Sequence, residues 1–354
     1  MHFYISDLAE VGTMRNAEKS VGAKMARLGK VVAAGYAVPK GFVVDVGAYV
    51  DALADEAVSA AHEEAMNGIG AGSTPGEFAA VRPRMRAAFD AYVFPEDLAE
   101  GLREALGALG EDLEVAVRSS AVGEDSSHAS FAGQLETRLG IVGYEAMMAA
   151  IRSCWSSSYA APALAYRANR GALGVAMPMA IGVLELVHPR TAGVAFSVHP
   201  VTRRRNRVVI EGNWGLGETV VSGRVSPDHV EVGKVDLRIL DYKIGAKHIV
   251  SAFDGVAGCV TESATHPEQA AAKCLTEEDV MAITAMTVEM EDLFGHPVDV
   301  EWAIAGTADG DVSPVVVLQV RPETVTEEPM ALRTSYDPIQ MIMERTSRKL
   351  STGG

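Results

Sequence analysis

The chain has 354 residues, of which 48% are hydrophobic and 22% are charged, and its formal net charge is -16. This balance is typical of a globular protein long enough to form two or three lobes, and the acidic surplus argues against a general nucleic-acid or anionic-membrane binder. No apolar run approaches a membrane span, and the first residues lack a basic-then-apolar signal pattern. The three cysteines show no paired spacing, so we expect reduced thiols and a cytoplasmic location.

The first predicted helix begins at Val21 with Ser20 as its cap and ends near Gly35. Residues 41–45 then read as a strand. From about residue 47 to 112 the chain is alanine-rich and helical, with a break at residues 67–76, where glycines cluster.

A strand predicted over residues 114–118 ends in Arg118 and is followed by a loop of small residues that contains Gly133 and Thr137. An arginine fork and glycines that allow close backbone approach are typical of a polyphosphate site. Pairing of Arg118 with the nearby Glu124 or Asp125 is the alternative interpretation.

Residues 144–173 are predicted to be helical, and strands are predicted at 179–186, 193–198 and 207–211, before a β-rich stretch over 220–249. The segment Thr276–Asp279 resembles a capping box and predicts a helix that ends near Gly295. The run Arg203–Arg207 is the only basic run, and it reads as a solvated loop or, alternatively, as a docking patch for an acidic partner.

A hairpin is predicted over residues 297–321, with Asp309 and Gly310 at its turn. Centring the turn there places Glu301 opposite Gln319 and Asp299 opposite Arg321 on one polar face. The other face is predicted to be a core face made of Val300, Trp302, Ile304, Val316, Leu318 and Val320. From this pattern alone, the polar face could be either a ligand site or a solvated surface.

Four stretches together resemble the N-terminal ATP-binding region of phosphoenolpyruvate synthase and pyruvate phosphate dikinase. They are Val21–Lys24, the strand and loop that span 115–137, Gly215–Glu218 through Asp228, and Glu301–Trp302 with 318–324. They occur in the order of that family and cover roughly residues 15–325.

The resemblance implies an α/β (α+β) fold of the ATP-grasp type, in which two lobes clasp a nucleotide. It divides the chain into an N-terminal lobe over residues 1–190, with a helical insertion around 47–112, and a C-terminal lobe over 191–325. Residues 326–354 would form a tail or linker.

The same resemblance implies ATP and Mg²⁺ as cofactors and assigns roles to individual residues. Arg118 and Arg321 would contact the reacting phosphates, and Glu301 and Gln319 would hold the metal. The remaining expected nucleotide contacts are Lys24, Gly133, Thr137, Glu185, Val187 and Glu218. The family usually has glutamine where this chain has Leu184, so Glu185 or the backbone near Leu186 and Val187 is expected to read the base.

Full-length members of this family pass phosphate to a histidine in a Gly-Gly-x-x-Ser/Thr-His type sequence, which this chain does not contain. We therefore expect a separate subunit that carries the histidine and the acceptor site, as in phenylphosphate synthase, where phenol is the acceptor. The alternatives are the ATP domain of a phosphoenolpyruvate synthase or of an antibiotic phosphotransferase, and a regulatory module that binds ATP without transfer.

Overall fold

The computed structural model describes residues 4–123, 136–173, 177–306 and 314–323. The strands are β1 (Ile5–Asp7), β2 (Gly41–Val44), β3 (Val115–Ala121), β4 (Thr137–Ile141), β5 (Met179–Glu185), β6 (Pro189–Phe196), β7 (Arg207–Trp214), β8 (Asp228–Gly233), β9 (Ile239–Lys243), β10 (Ile249–Asp254), β11 (Cys259–Ala264), β12 (Val298–Ala305) and β13 (Val315–Pro322). The helices are α1 (Leu8–Val11), α2 (Ala17–Ala33), α3 (Val46–Ala54), α4 (Glu56–Asn67), α5 (Pro75–Ala91), α6 (Glu96–Leu109), α7 (Tyr144–Ser157), α8 (Ala161–Asn169), α9 (Glu218–Val221), α10 (Pro267–Ala271) and α11 (Glu277–Phe294). None of these helices combines the length and apolar character needed to cross a bilayer.

Two sheets and one separate hairpin organise this mixed α/β structure. The first sheet has five strands in the order β1-β2-β5-β3-β4, and the second has six in the order β13-β12-β6-β7-β8-β9. Strands β10 and β11 form a two-stranded hairpin, and Ser251 of β10 also makes an isolated parallel bridge to Gly215. The first sheet is built from residues up to 185 and the second from residues after 188. The predicted lobe boundaries remain a prediction.

One core lies between the five-stranded sheet and helices α3 to α8. Its centre is aromatic: Trp155 lies 6.0 Å from Tyr49 and 5.9 Å from Phe89, measured between ring centroids. All three side chains are essentially inaccessible to solvent. Burial of such large rings provides much of the hydrophobic stabilisation of this region.

A second core joins the two sheets, and α2 lies at its centre. Met25 and Leu28 of α2 are buried in one cluster with Ala180 of the first sheet and with Val300 and Val320 of the second. Helix α2 therefore fixes the position of one sheet relative to the other.

Helix α2 is interrupted at Gly22, whose φ of 70° and ψ of 168° are not helical. A side chain at this position would collide with the backbone of Ser120, which lies 2.1 Å from the expected Cβ position. The prediction that the helix starts after a Ser20 cap was wrong, because α2 begins at Ala17 and the segment after the Gly22 break is capped by Ser120 of β3. The Ser120 hydroxyl accepts a hydrogen bond from the Met25 amide (3.2 Å) and donates one to the Val21 carbonyl (2.7 Å).

Strand β3 is longer than the sequence predicted. We expected it to end at Arg118, but it continues to Ala121 because β5 pairs with it over its whole length. Ser119 and Ser120, expected in a loop, are fully buried. The stretch predicted to be β-rich from Val220 also differs, since Glu218–Val221 is the short helix α9.

The capping-box prediction at Thr276 is confirmed. The Thr276 hydroxyl accepts from the Asp279 amide (3.2 Å), and the Asp279 carboxylate accepts from the Thr276 amide (2.8 Å). Helix α11 ends at Gly295, whose φ of 74° is left-handed, as is common at helix C-termini.

Candidate functional site

A cavity of about 450 Å³ opens between the two sheets. Strands β3, β4 and β5 contribute to it from the first sheet, and β6, β12 and β13 from the second. Nine of the ten residues predicted from the sequence line this cavity: Lys24, Arg118, Thr137, Glu185, Val187, Glu218, Glu301, Gln319 and Arg321. The tenth, Gly133, lies outside the described residues.

The register of the β12–β13 hairpin agrees with the prediction. Glu301 is the partner of Gln319, and Asp299 is the partner of Arg321. The turn at residues 307–313 lies outside the described residues. The hairpin therefore presents two acidic residues, one amide and one guanidinium on one face.

A β-bulge follows this polar face, and it corrects part of the predicted core face. Glu301 pairs with Gln319, but the next residue, Trp302, pairs with Val317, so Leu318 is an extra residue in β13. The bulge reverses the inside-outside alternation of β13 beyond Gln319. Val317 is consequently buried in the core, whereas Leu318 faces the cavity. Val316, also predicted to be a core residue, is only partly buried.

The charged cluster, defined as Arg118, Asp299, Glu301, Gln319 and Arg321, joins β3 of the first sheet to the hairpin. The guanidinium of Arg118 donates to the bulge carbonyl of Leu318 (2.6 Å) and to the Gln319 side-chain oxygen (2.8 Å). It also lies 3.5 Å from the Glu301 carboxylate. The partners of Arg118 are therefore about 200 residues away in the sequence, and the predicted alternatives Glu124 and Asp125 lie outside the described residues.

Arg321 lies near the other oxygen of the same carboxylate. Its Nε atom donates to Asp299 (3.0 Å), and one of its terminal nitrogens lies 3.5 Å from Glu301. The four ionisable side chains are each only 13–17% exposed. Charges with so little water around them act strongly on each other and on any ionic ligand that enters the cavity.

Lys24 lies in the first turn of the helical segment that follows Gly22, and it lines the same cavity. The first amides of a helix and an adjacent ammonium group both favour an anion. Ser120, the cap of this segment, lies two residues after Arg118 on the same face of β3. Strand β3 therefore positions both Arg118 and the helix start that carries Lys24.

The apolar end of the cavity is formed by Ala116, Leu139, Leu186 and Leu216. Ala116, Leu186 and Leu216 form a buried cluster, with Leu139 packed against it. Phe253 of β10 also packs there, and its ring lies 2.5 Å from the position that a Cβ on Gly140 would occupy. Ala116 precedes Arg118 by two residues, so one face of β3 supplies both ends of the cavity.

The backbone near Leu186 is less available than we expected. The amide of Leu186 donates to the Glu114 carbonyl (2.8 Å), and the amide of Glu185 donates to the Lys40 carbonyl (2.8 Å). These two amides are therefore already bonded within the protein, and the prediction that Glu185 or the backbone near Leu186 and Val187 reads the base stays a prediction. Leu184, which replaces the family's usual glutamine, is buried and lines the cavity.

Glu218 lies at the cavity lining where α9 begins. Partial removal from water raises the pKa of this carboxyl group, Arg224 opposes that shift, and Glu262 adds to it. Arg224 also lines the cavity and forms an ion pair with Glu262 of β11 at 2.5 Å.

Comparison with known proteins identifies the family of this chain. Residues 18–338 match the family of the pyruvate phosphate dikinase AMP/ATP-binding domain. The chain belongs to this family.

Curated relatives of the pyruvate phosphate dikinase family are longer proteins. The phosphoenolpyruvate synthase of Aeropyrum pernix is 34% identical over 339 residues, which cover 86% of this chain and 40% of the relative. A probable phosphoenolpyruvate synthase of Methanothermobacter thermautotrophicus is 35% identical, with 87% and 44% covered. An uncharacterized phosphotransferase of Bacillus subtilis is 33% identical, with 89% and 35% covered. The chain thus spans less than half the length of these relatives.

The side chains predicted to hold Mg²⁺ fit the ligand preferences of that ion. Glu301 and Gln319 are direct cross-strand partners, and each presents an oxygen atom to the cavity side of the hairpin. One carboxylate and one amide oxygen suit a hard cation that takes its other ligands from water and phosphate. Both residues contact the guanidinium of Arg118. Their oxygen atoms therefore already face a positively charged group.

Sequence reasoning missed several residues that build the site. Asp299 was placed on the polar face but received no role, although it orients Arg321. Ala116 and Leu216 received no role either, because small and apolar residues in strands and turns carry no distinctive signal. The bulge at Leu318 also lacked a sequence signature, since no glycine marks it.

Proposed function

We propose that this chain is the ATP-binding domain of a dikinase-type phosphotransferase, with an ATP-grasp arrangement in which the two sheets clasp Mg-ATP. The observation that carries the proposal is the charged cluster, which brings two arginines, the Glu301 carboxylate and the Gln319 amide to one cavity, with Asp299 paired to Arg321. Membership of the pyruvate phosphate dikinase AMP/ATP-binding family supports the same function.

The adenine ring would occupy the apolar end of the cavity. The side chains there offer flat apolar contact of the kind that a purine requires. Since the amides of Glu185 and Leu186 are already used within the protein, we propose that Val187 and the Glu185 side chain read the edge of the base.

The triphosphate would lie against the charged cluster and Lys24. Arg118 and Arg321 would offset negative charge on the reacting phosphates, and Lys24 would bind from the helix start. Glu301 and Gln319 would hold Mg²⁺, which neutralises phosphate charge when bound. Thr137 and Gly133 would cover the phosphates, and Glu218 would lie near them. Phosphoryl transfer depends mainly on positioning and charge stabilisation, which are the roles proposed for these residues.

The acceptor of the phosphoryl group would be a histidine outside this sequence, on a separate subunit as predicted or on a further part of a longer protein. The net conversion would give AMP, phosphate and one phosphohistidine from ATP and water. The names of the relatives reported above support the dikinase class and give no support to phenol as final acceptor. Phenol, pyruvate and an antibiotic therefore remain alternatives that the acceptor-bearing part decides.

Position-specific labelling tests this function. The chain, purified natively with its associated proteins, is incubated with Mg²⁺ and ATP labelled at the β- or the γ-phosphate. We expect AMP to form and acid-labile label from the β-phosphate to appear on a histidine-bearing protein. Formation of ADP with label transferred only from the γ-phosphate would contradict a dikinase. ATP binding without any transfer would favour the regulatory alternative.

A further inference from the structure

The most enclosed ion pair in the described residues lies outside the cavity. Lys247 and Asp228 form this pair, and both side chains are 0% exposed. Neither residue lines the cavity, and neither has a role in the proposed function. The pair is therefore a feature that the nucleotide site itself does not explain.

Asp228 directly follows a segment of chain that forms part of one wall of the cavity. This wall segment, residues 215–227, joins β7 to β8 and includes α9. Six of its residues line the cavity: Leu216, Gly217, Glu218, Val221, Ser222 and Arg224. The geometry of the wall segment consequently depends on how its two ends are held.

The Asp228 carboxylate holds the C-terminal end by four contacts to three other parts of the chain. It accepts hydrogen bonds from the Gly245 amide (2.9 Å), the Tyr242 hydroxyl (2.9 Å) and the Cys274 amide (2.8 Å), in addition to the Lys247 ammonium. Lys247 also donates to the Gly245 carbonyl (3.1 Å). Because four donors bond to this one carboxylate, Asp228 has little freedom to move.

The loop that carries Lys247 lies directly on the wall segment. The Lys247 amide donates to the Ser226 carbonyl (3.0 Å). A Cβ on Gly245 would come within 2.1 Å of the Pro227 carbonyl and 2.2 Å of the Ser226 carbonyl, so only glycine allows this approach. Lys247 itself has a left-handed φ of 39°, a conformation that is costly for a lysine. This costly backbone conformation thus occurs at the residue whose side chain pairs with Asp228.

The N-terminal end of the wall segment is tied to the same stretch of chain. Asn213 is fully buried, and its side-chain amide donates to the Ile249 carbonyl (2.8 Å). The Leu216 amide donates to the Ser251 carbonyl (2.7 Å). Residues 245–251 thus contact the wall segment at both of its ends.

We propose that Lys247 and Asp228 are positioning residues for the nucleotide site, and that their buried ion pair fixes the wall segment in its ligand-binding geometry. The proposal rests on the proposed function. A buried ion pair adds little stability compared with well-packed apolar side chains, but it can specify one arrangement of the chain. Here it specifies the position of the segment that carries Leu216 and Glu218.

The test compares ATP affinity in the full chain, measured by titration calorimetry with Mg²⁺, well below each variant's melting temperature. The main variant is Asp228→Asn/Lys247→Met, which removes both charges at nearly constant volume. The matched control is Lys234→Met, which removes the ammonium of another ion pair, formed by Lys234, the residue after β8, with Glu291 of α11. Lys234 lies outside the cavity and the wall segment.

We expect the double variant to bind ATP about tenfold more weakly, which corresponds to ~1.4 kcal/mol, and the control to change affinity less than about twofold. The single variant Lys247→Met should lose more affinity than the double variant, because it leaves an uncompensated buried carboxylate. If the single variant fails to fold, the ATP affinity of the double variant still tests the proposal.

Wild-type affinity in the double variant, with only its melting temperature lowered, would show a purely structural role and overturn the inference. In that case the proposed function would stand, because the wild-type chain binds ATP. A wild-type chain without ATP affinity would instead contradict the proposed function and, with it, the inference.

Discussion

The two ends of the cavity are built from the same strand but by different physical means. At the apolar end, β3 contributes Ala116 to a cluster that excludes water by packing. At the charged cluster, two residues further along the same face, it contributes Arg118 to a network of ion pairs and hydrogen bonds. Packing can fix the position of a ligand, whereas only the charged cluster can change the energy of a reacting phosphate. Substitutions at the two ends should therefore separate binding from transfer.

The largest effect is expected from removal of an arginine in the charged cluster. Arg321→Ala or Arg118→Ala should lower phosphoryl transfer by about 10³-fold, because the arginine offsets charge that develops on the transferring group. Both arginines line the cavity, where water can occupy the space of the removed guanidinium, so the variants should remain folded. The measurement is the rate of AMP formation in the presence of the acceptor.

The control for the arginine variants is Arg84→Ala, whose side chain is 59% exposed and pairs with Glu64 on the surface. Its transfer rate should match that of the wild-type chain. Near-normal transfer in Arg118→Ala and Arg321→Ala would contradict the assignment of the charged cluster.

An enlargement at the apolar end should affect binding instead of transfer. Ala116→Leu extends a side chain into the space assigned to adenine, and we expect ATP and adenosine to bind roughly 10- to 100-fold more weakly. Once saturated with ATP, the variant should transfer phosphate at nearly the wild-type rate. Calorimetry with both ligands checks the prediction, with the exposed Ala60→Leu on α4 as control. Unchanged adenosine affinity would place the base elsewhere.

A smaller effect is expected from Ser120→Ala. This substitution removes the cap of the helical segment that carries Lys24 and should lower the free energy of unfolding by about 1 kcal/mol. ATP affinity should fall by a few-fold as the Lys24 helix start loosens.

The matched control for Ser120→Ala is Ser156→Ala, another buried serine, whose hydroxyl donates only within its own helix, to the Ser153 carbonyl. It should destabilise the fold without changing ATP affinity. Equal ATP affinities in both serine variants would show that Ser120 does not position Lys24.

The smallest effect is expected from the pair of Glu211 and His229, which lies on the six-stranded sheet and outside the cavity. The side chain of Glu211 raises the pKa of His229, although burial of the imidazole opposes this shift. Stability from the pair is therefore fully present below the unfolded pKa of about 6.5 and is lost as pH rises through the raised value.

Glu211→Gln should accordingly reduce the free energy of unfolding by up to about 1 kcal/mol near pH ~5.5 and less near pH ~9. Chemical denaturation at both pH values measures this difference, and Glu64→Gln in the exposed pair with Arg84 serves as control. An equal loss at both pH values would contradict the sign. ATP affinity should not change.

The sequence predicted what depends on local periodicity. The pairing of Glu301 with Gln319 followed from period-two alternation around a turn, and the helix at Thr276 followed from its capping box. Features that depend on distant contacts could not be predicted in this way. Ser120 caps a helix almost a hundred residues earlier, and β3 extends past Arg118 only because β5 is available to pair with it.

The candidate site was predictable as a set of residues but not as a network. The resemblance to a known family named the residues that line the cavity, yet the Arg118 contact to the Leu318 carbonyl depends on a bulge. A bulge is decided by how both neighbouring strands pack, which the sequence of one strand does not specify.

We propose that the charged cluster binds the phosphates of ATP and that the apolar end binds its base. A crystal structure of the chain with Mg²⁺ and a non-hydrolysable ATP analogue tests this most directly. We predict the triphosphate against Arg118 and Arg321, the metal on Glu301 and Gln319, and adenine against Ala116, Leu186 and Leu216. A nucleotide bound outside this cavity, or bound with its base against the charged cluster, would contradict the account.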